Sequence, residues 1–362
     1  MYSVGQTLRI SLFGRSHAER VGCIMEGIPA GVPVDMKDVQ RDMDLRRPSA
    51  GIGTARREAD VPTISGGITD GATDGRPILI TIENGDCDSS AYSGFNDRPR
   101  PGHADLPAHF RFSDFDVSGG AQFSGRMTAP LVAAGAIARS FLRKNGVQVA
   151  AYTSSVYDEH DPDEHTFEEI SRSSDHPTRA VTEEIDCRFS RIIQEAASEG
   201  DSVGGTIVCM VSGLPIGTGG MWFDALDVSM ARMMFSIPGV KGVSFGKGFG
   251  IADMKGSDSN DQYRYTDRIT SDTNNMGGVV GGMSDGLPLV VNVADKPTPS
   301  IGKEQRTVSL SEKRDCSITV GGRHDPCIVP RAVAAVEAMA AICAADQLLS
   351  FRLVSQERTG SS

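Results

Sequence analysis

Two stretches of this chain, Leu131–Phe141 and Ala332–Leu349, carry small residues on nearly every side. A helix without a polar face has no side to present to water, and alanine lets neighbouring backbones approach closely. Both segments therefore predict helices buried against other helices. Pro130 in the first turn and Gly146 past the end bound the first of them. Glu337, Asp346 and Gln347 interrupt the second, which makes it a poor membrane span.

Short β-like runs surround these helices: Leu8–Phe13, Cys23–Ile28, Ile78–Glu83, Val147–Tyr152, Thr206–Val211, Leu289–Val293 and Ile318–Val320. Most are flanked by glycine, as strand ends often are. Asp35 predicts a cap for a helix running to about Asp44. Glu183–Ser198 has Ile185, Phe189, Ile192, Ile193 and Ala196 on one face, and Asp224–Phe235 and Pro330–Leu349 read as further helices. The pattern predicts a mixed α+β chain with a helical core layer flanked by sheets. A single domain over residues 1–355 is expected, with 356–362 a frayed tail. Tyr157–Arg179 is acidic and polar, so it reads as a surface excursion with His160, His165 and His176 solvated.

The chain has 362 residues, a net charge of −11 and a pI near 5.2. A nucleic-acid binder would normally carry a basic face, and no run of Lys and Arg resembles one. Local arginine clusters in so acidic a chain are more telling for the same reason. Seven scattered cysteines, never spaced Cys-x-x-Cys, fit reduced thiols in a cytoplasmic protein. The N-terminus does not read as a secretory signal. No Gly-x-Gly-x-x-Gly follows an early strand and no Walker A loop is present. Zinc sites prefer denser histidines than His103, Asp105 and His109 supply, so no metal is expected.

The chemistry gathers in six segments. Arg98-Pro99-Arg100-Pro101-Gly102-His103-Ala104-Asp105 sets two guanidiniums beside an imidazole and a carboxylate on a stiff backbone. That suits holding an anion next to a proton-transfer group. Ser16-His17 leaves the first long strand as a proton-transfer pair. Arg46-Arg47 and Arg56-Arg57 flank a loop of small residues, placed either to close on an anion or to sit at a solvated helix end. Ser118–Arg126 is glycine-rich backbone opening a helix, a ready anion site. Thr273–Gly286 has paired glycines that would let backbone approach a flat ring, followed by Lys296-Pro297-Thr298-Pro299-Ser300. Gly321–Cys327 packs Arg323, His324 and Asp325 into one turn ahead of the last helix.

Together RPGHAD, GRHDPC, the Asn-x-x-Gly-Gly-x-x-Gly-Gly run, KPTPSI and SIPGVKG (Ser236–Gly242) resemble the chorismate synthase family, in family order from about Gly5 to Leu349. The resemblance implies a β-α-β sandwich with a buried alanine-rich helical layer, usually assembled as a homotetramer. It implies a 1,4-elimination of phosphate from 5-enolpyruvylshikimate 3-phosphate, giving chorismate with reduced FMN and no net redox change. By the same matching, His17, His103 and Asp325 are catalytic, with Ser16 and Ser124 as relays. Arg46, Arg47, Arg57, Arg126 and Arg323 take the substrate's charge. Ser124, Pro238, Gly239, Gly281, Lys296, Thr298, Ser300 and Arg323 contact the flavin. Whether NADPH reduces the flavin on this chain stays open; without a dinucleotide fingerprint an external flavin reductase is favoured.

The chain departs from the family pattern at five places. Arg15 stands for a usual glutamate, Ala18 for a glycine, Leu45 for an arginine, and Gln122 for a residue that is basic in many relatives, and the loop Pro48–Ala55 lacks an arginine that often reaches the substrate. A flavin-binding relative that has lost catalysis, or one whose substrate has drifted, is therefore the alternative reading.

Overall fold

A computed structural model of the chain describes residues 2–48, 52–53, 60–85, 94–322 and 324–359. Two antiparallel sheets enclose a layer of helices. The first sheet holds β1 (Tyr2–Val4), β2 (Arg9–Gly14), β3 (Arg20–Glu26), β4 (Thr63–Ser65) and β5 (Ile78–Glu83), in the order β1-β2-β3-β5-β4. The second holds β6 (Gln148–Val156), β7 (Glu159–His160), β8 (Gly205–Ser212), β9 (Val240–Phe245) and β10 (Leu289–Asp295), in the order β9-β10-β8-β6-β7. Inward positions alternate along the strands: Ile78, Ile80 and Ile82 on β5, and Ile207, Cys209 and Val211 on β8 are buried. Each sheet thus lays one apolar face on the helices.

Leaving aside two short helices, Phe167–Ser171 and Gly256–Ser259, the helices are α1 (Met36–Leu45), α2 (Asp105–Arg111), α3 (Ala129–Lys144), α4 (Glu183–Ser198), α5 (Leu226–Phe235) and α6 (Val329–Thr359). The alanine-rich pair α3 and α6 pack on each other, with α3 against the first sheet and α6 against the second. Gly135 marks their crossing: a Cβ there would lie 2.4 Å from the Cβ of Ala338. The three polar residues that interrupt the apolar run of α6 each have partners. Glu337 takes the Arg139 guanidinium at 3.3 Å, and Asp346 accepts from the backbone N–H groups of Gln6, Thr7 and Leu8. Gln347 donates to Ser229. By length and composition Val329–Leu353 could cross a membrane, but 94% of its most apolar window is buried inside the protein.

Several boundaries differ from the sequence reading. The strand placed at Ile318–Val320 is Arg314–Ile318, hairpinned with Gln305–Ser309, because Val320 instead joins a small apolar cluster with Phe95 and Val117. Asp224 lies in a single 3-10 turn before α5. The last helix runs through Thr359, so part of the segment expected to fray is helical. His165 is a clear correction. It packs edge-on against Tyr152 and bonds to Asp161 at 2.8 Å, leaving its side chain only 6% exposed.

Candidate active site

A cavity of about 750 Å³ opens where the first turns of α6, the end of β10 and the loops after β2 and before α3 meet. That size lies in the upper range of small-molecule sites. Ser16, His17, Arg46, Arg47, His103, Ser124, Arg126, Pro238, Gly239, Lys296, Thr298, Ser300 and Asp325 all line it. These residues come from far-apart parts of the chain, and the fold brings them together.

His17 sits in the loop that follows β2, against the glycine-rich turn before α3. The Ser16 backbone N–H donates to Ala121 O at 3.1 Å. Gly119 has φ +61, and a Cβ there would lie 2.3 Å from His17 Cδ2 and 2.8 Å from Ser16 Oγ. Only glycine fits both the left-handed backbone and the imidazole. Next to it, Gly120 backs onto the second histidine: its Cβ would fall 3.3 Å from His103 Nε2. The glycine pair is thus the wall between two imidazoles.

His103 is held from behind. Its Nδ1 lies 2.5 Å from Asp105 Oδ1, and Arg100 grips the same carboxylate through Nε at 2.7 Å and Nη2 at 2.9 Å. Burial would push Asp105 up, but hydrogen bonds from Arg100 and His103 outweigh it and hold the carboxyl well below its ordinary range. Arg100 also donates to Ser300 Oγ at 3.2 Å and stacks 4.6 Å over Phe95. The sequence suggested that this arginine faces an anionic ligand. It is instead the buried clamp that orients the histidine.

A second clamp involves Asp60, 4% exposed, which pairs with both Arg46 and Arg126. Burial alone would raise this carboxyl; the Arg46 charge and the Arg126 hydrogen bond lower it. Arg126 also reaches Asn84 Oδ1 at 2.8 Å and Glu83 O at 3.0 Å. Two guanidiniums around one carboxylate leave a single net positive charge, fixed in direction before any ligand arrives. Arg331 adds another cation from the first turn of α6, pairing with Asp325 and donating to Arg46 O at 3.1 Å.

The opposite wall is β10 with the Pro238–Gly239 turn. Asp295 Oδ1 and Oδ2, Thr298 Oγ1 and Arg46 Nε are buried without a hydrogen-bond partner among the described residues. Buried polar groups are normally satisfied. Their concentration in one lining therefore fits a flat, hydrogen-bonding heterocycle beside an anion.

Not every expected residue is here. Arg57 and Arg323 lie outside the described residues. Gly281 does not line the cavity; it turns the short hairpin of Val279–Val280 and Met283–Ser284, which is tied to the start of α5 through the Gly282 carbonyl and Leu226 N–H. The neighbouring glycines approach backbone rather than a ring: a Cβ on Gly277 would lie 2.3 Å from Gly246 N, and one on Gly278 2.3 Å from Pro288 O. Arg15 faces Asp116 at 3.6 Å and is not part of the lining. Asp60, Arg331 and Asp295 line the site, with Asn84 holding Arg126, but were missed, because no local motif marks them. Only the adjacency of Asp295 to the Lys296 motif offered a signal.

The family model for chorismate synthase matches residues 8–349. Chorismate synthase of Korarchaeum cryptofilum is 43% identical over 348 residues, covering 95% of this chain and 96% of the relative. That of Archaeoglobus fulgidus is 43% identical, covering 98% and 99%. A crystal structure of chorismate synthase superposes with a TM-score of 0.75 at 27% identity, over 96% of this chain and 93% of that one. The family's motifs converge on one cavity, and the match runs nearly end to end; this chain belongs to the chorismate synthase family.

Proposed function

We propose that this chain, acting in the cytoplasm, converts 5-enolpyruvylshikimate 3-phosphate to chorismate by a 1,4-elimination of phosphate with reduced FMN bound, as a carbon–oxygen lyase. What supports this most is the meeting of His17, His103 and Asp325 in one cavity with Arg46, Arg47, Arg126 and Arg331. A substrate with a phosphate and two carboxylates loses much hydration on burial, and guanidinium forks replace it with directed, charge-assisted hydrogen bonds. The Asp60 clamp sets Arg46 and Arg126 in place beforehand, so little reorganisation is left for the reaction.

His17 is the proton donor to the departing phosphate, with its ring seated on Gly119 and Ser16 beside it. His103, oriented by Asp105 and Arg100 and backed by Gly120, lines the wall that would meet the ring cofactor. Asp325, anchored by Arg331, carries protons near that ring, with Ser124 as a relay. Pro238, Gly239, Lys296, Thr298 and Ser300 form the flavin wall. The chemistry a reduced flavin supplies when bound is electron density for the leaving phosphate and a basic nitrogen for the substrate proton. Phe123, Pro238 and Ile328 help to keep water from the cavity.

Reduced flavin comes from a separate reductase in this reading, and the chain works as a homotetramer. The consecutive residues Met221, Trp222 and Phe223, 70%, 84% and 90% exposed, are apolar surface of the kind that subunits cover. The test is anaerobic turnover of 5-enolpyruvylshikimate 3-phosphate with reduced FMN, followed by phosphate release. Stoichiometric phosphate and chorismate are expected. No release with reduced flavin bound would overturn the reading in favour of a non-catalytic flavin binder.

A further inference from the structure

Asp295 is the last residue of β10, whose inward positions run Leu289, Val291, Val293, Asp295. Three apolar side chains face the helical layer, and the fourth position puts a carboxyl in the same register at the cavity wall. It is 4% exposed, and neither oxygen meets a side-chain donor among the described residues, the backbone N–H of Lys296 being the donor beside it. Lys296 follows directly, yet successive residues of an extended chain point to opposite faces. Its Nζ donates to Pro297 O at 3.3 Å instead. Gly239, at φ +103, makes room for the acid: a Cβ there would lie 2.2 Å from Asp295 Oδ1.

Few ionisable groups face this carboxyl. Lys296 follows directly after the strand, and Lys241 is on β9. Cys327, ahead of α6, is a thiol pushed up to about 12, chiefly by burial, with Asp325 beyond it. The other flanking strand, β8, presents Gly205. Burial dominates and pushes Asp295 up to about 7, against the pull of Lys296. The neutral acid is therefore well populated near neutral pH. In that form it carries an O–H donor and a C=O acceptor side by side. A cyclic imide edge, with a ring N–H next to a ring carbonyl, is its complement; an ionised carboxylate would face the ring carbonyl with like charge.

We propose that Asp295 is a cofactor-contacting residue whose neutral carboxyl forms a paired hydrogen bond with the imide edge of the flavin. This rests on the flavin reading above. It makes ring recognition at this wall dependent on a proton held by the protein.

Riboflavin is the probe, because the phosphate of FMN titrates near pH 6 and would confuse the result. Binding to the full chain is followed by quenching of flavin fluorescence for the wild type, Asp295→Asn and Asp295→Leu. Wild-type affinity should fall roughly tenfold between about pH 6 and about pH 8.5, the loss expected when one hydrogen-bonded pair goes. Asp295→Asn keeps a donor beside an acceptor, so it should bind about equally at both pH values. Asp295→Leu should bind about tenfold more weakly than wild type at the lower pH, without pH dependence. Riboflavin methylated at the imide nitrogen should lose affinity for wild type but not for Asp295→Leu.

Wild-type affinity and slope in both variants, or equal binding of the methylated and parent rings by wild type, would overturn the proposal and leave the flavin reading intact. Failure of the wild type to bind FMN at all would instead sink the flavin reading, and this inference with it. The near-isosteric Asp295→Asn protein keeps the test decisive if Asp295→Leu does not fold.

Discussion

Asp105 Oδ1 lies 2.5 Å from His103 Nδ1, deep behind the cavity wall, while the other nitrogen of the ring faces the Gly120 backbone. The carboxylate is 2% exposed and is gripped by Arg100 as well, so it sets both the tilt of the imidazole and the nitrogen that carries its inner proton. The arrangement orients a proton-transfer group through a buried carboxylate, with a guanidinium behind it.

Replacing this carboxylate separates orientation from binding. Asp105→Asn should lower kcat by about 100-fold, within the usual range for a lost acid–base contribution, with a smaller change in KM. The stability effect has a defined sign. The native carboxyl is held below its ordinary value of 3.8, so its contribution is present above that pH and is lost as pH falls through the native value. Urea unfolding should show wild type ahead of Asp105→Asn near neutrality, with the gap closing in acid. A gap that persists at low pH would contradict the charge-based account.

The Gly119 contact with His17 predicts a variant that harms activity more than folding. Gly119→Ala places a Cβ against the His17 ring and Ser16 Oγ on backbone at φ +61. A left-handed alanine costs about 1–2 kcal/mol. Displacing the ring by about 1 Å can cost turnover on the order of 100-fold. Comparing thermal unfolding with phosphate release separates the two; equal activity to wild type would show that His17 does not depend on this wall.

Asp60 holds two buried guanidiniums, so removing its charge strands both. Asp60→Asn should destabilise the protein by about 3–5 kcal/mol, as breaking a buried pair does. Inorganic phosphate should raise the melting temperature of this variant more than that of wild type, because Arg46 and Arg126 without their carboxylate attract an anion more strongly. A variant indifferent to phosphate would argue against these arginines facing one anion.

Asp295 predicts the opposite pH trend from Asp105. Its native carboxyl is raised from 3.8 to about 7, so the folded state binds the proton more tightly than the unfolded chain. The penalty for burying it is absent below about pH 4, grows between about pH 4 and 7, and is complete above that. Asp295→Asn should therefore be more stable than wild type near pH 8, by up to about 4 kcal/mol, and equal to it near pH 4. Denaturant midpoints at the two pH values decide this.

Much of the site was legible in residue order alone. The chemistry of His17, His103, Asp325, Lys296 and Ser300 is carried by short motifs, and a motif keeps its residue types and spacing wherever it is placed. The helical layer was legible for a similar reason: α3 and α6 have no polar face, so burial is the one solution open to them. The second sheet's inward alternation along β8 and β10 is also a local property.

What tertiary structure alone decided is partnership. Nothing along the chain tells Asp60 that Arg46 and Arg126 will both reach it, or that Arg331 will stand beside Asp325 on a helix whose first turn enters the same cavity. Nor does RPGHAD reveal that Arg100 turns inward to Asp105 while His103 faces out. Whether a charged side chain meets a ligand or another residue depends on which groups the packing brings within about 3 Å and removes from water. Sequence supplied the groups; the two sheets closing on the α3–α6 layer assigned their counterparts, and left Asp295 without a side-chain donor among the described residues.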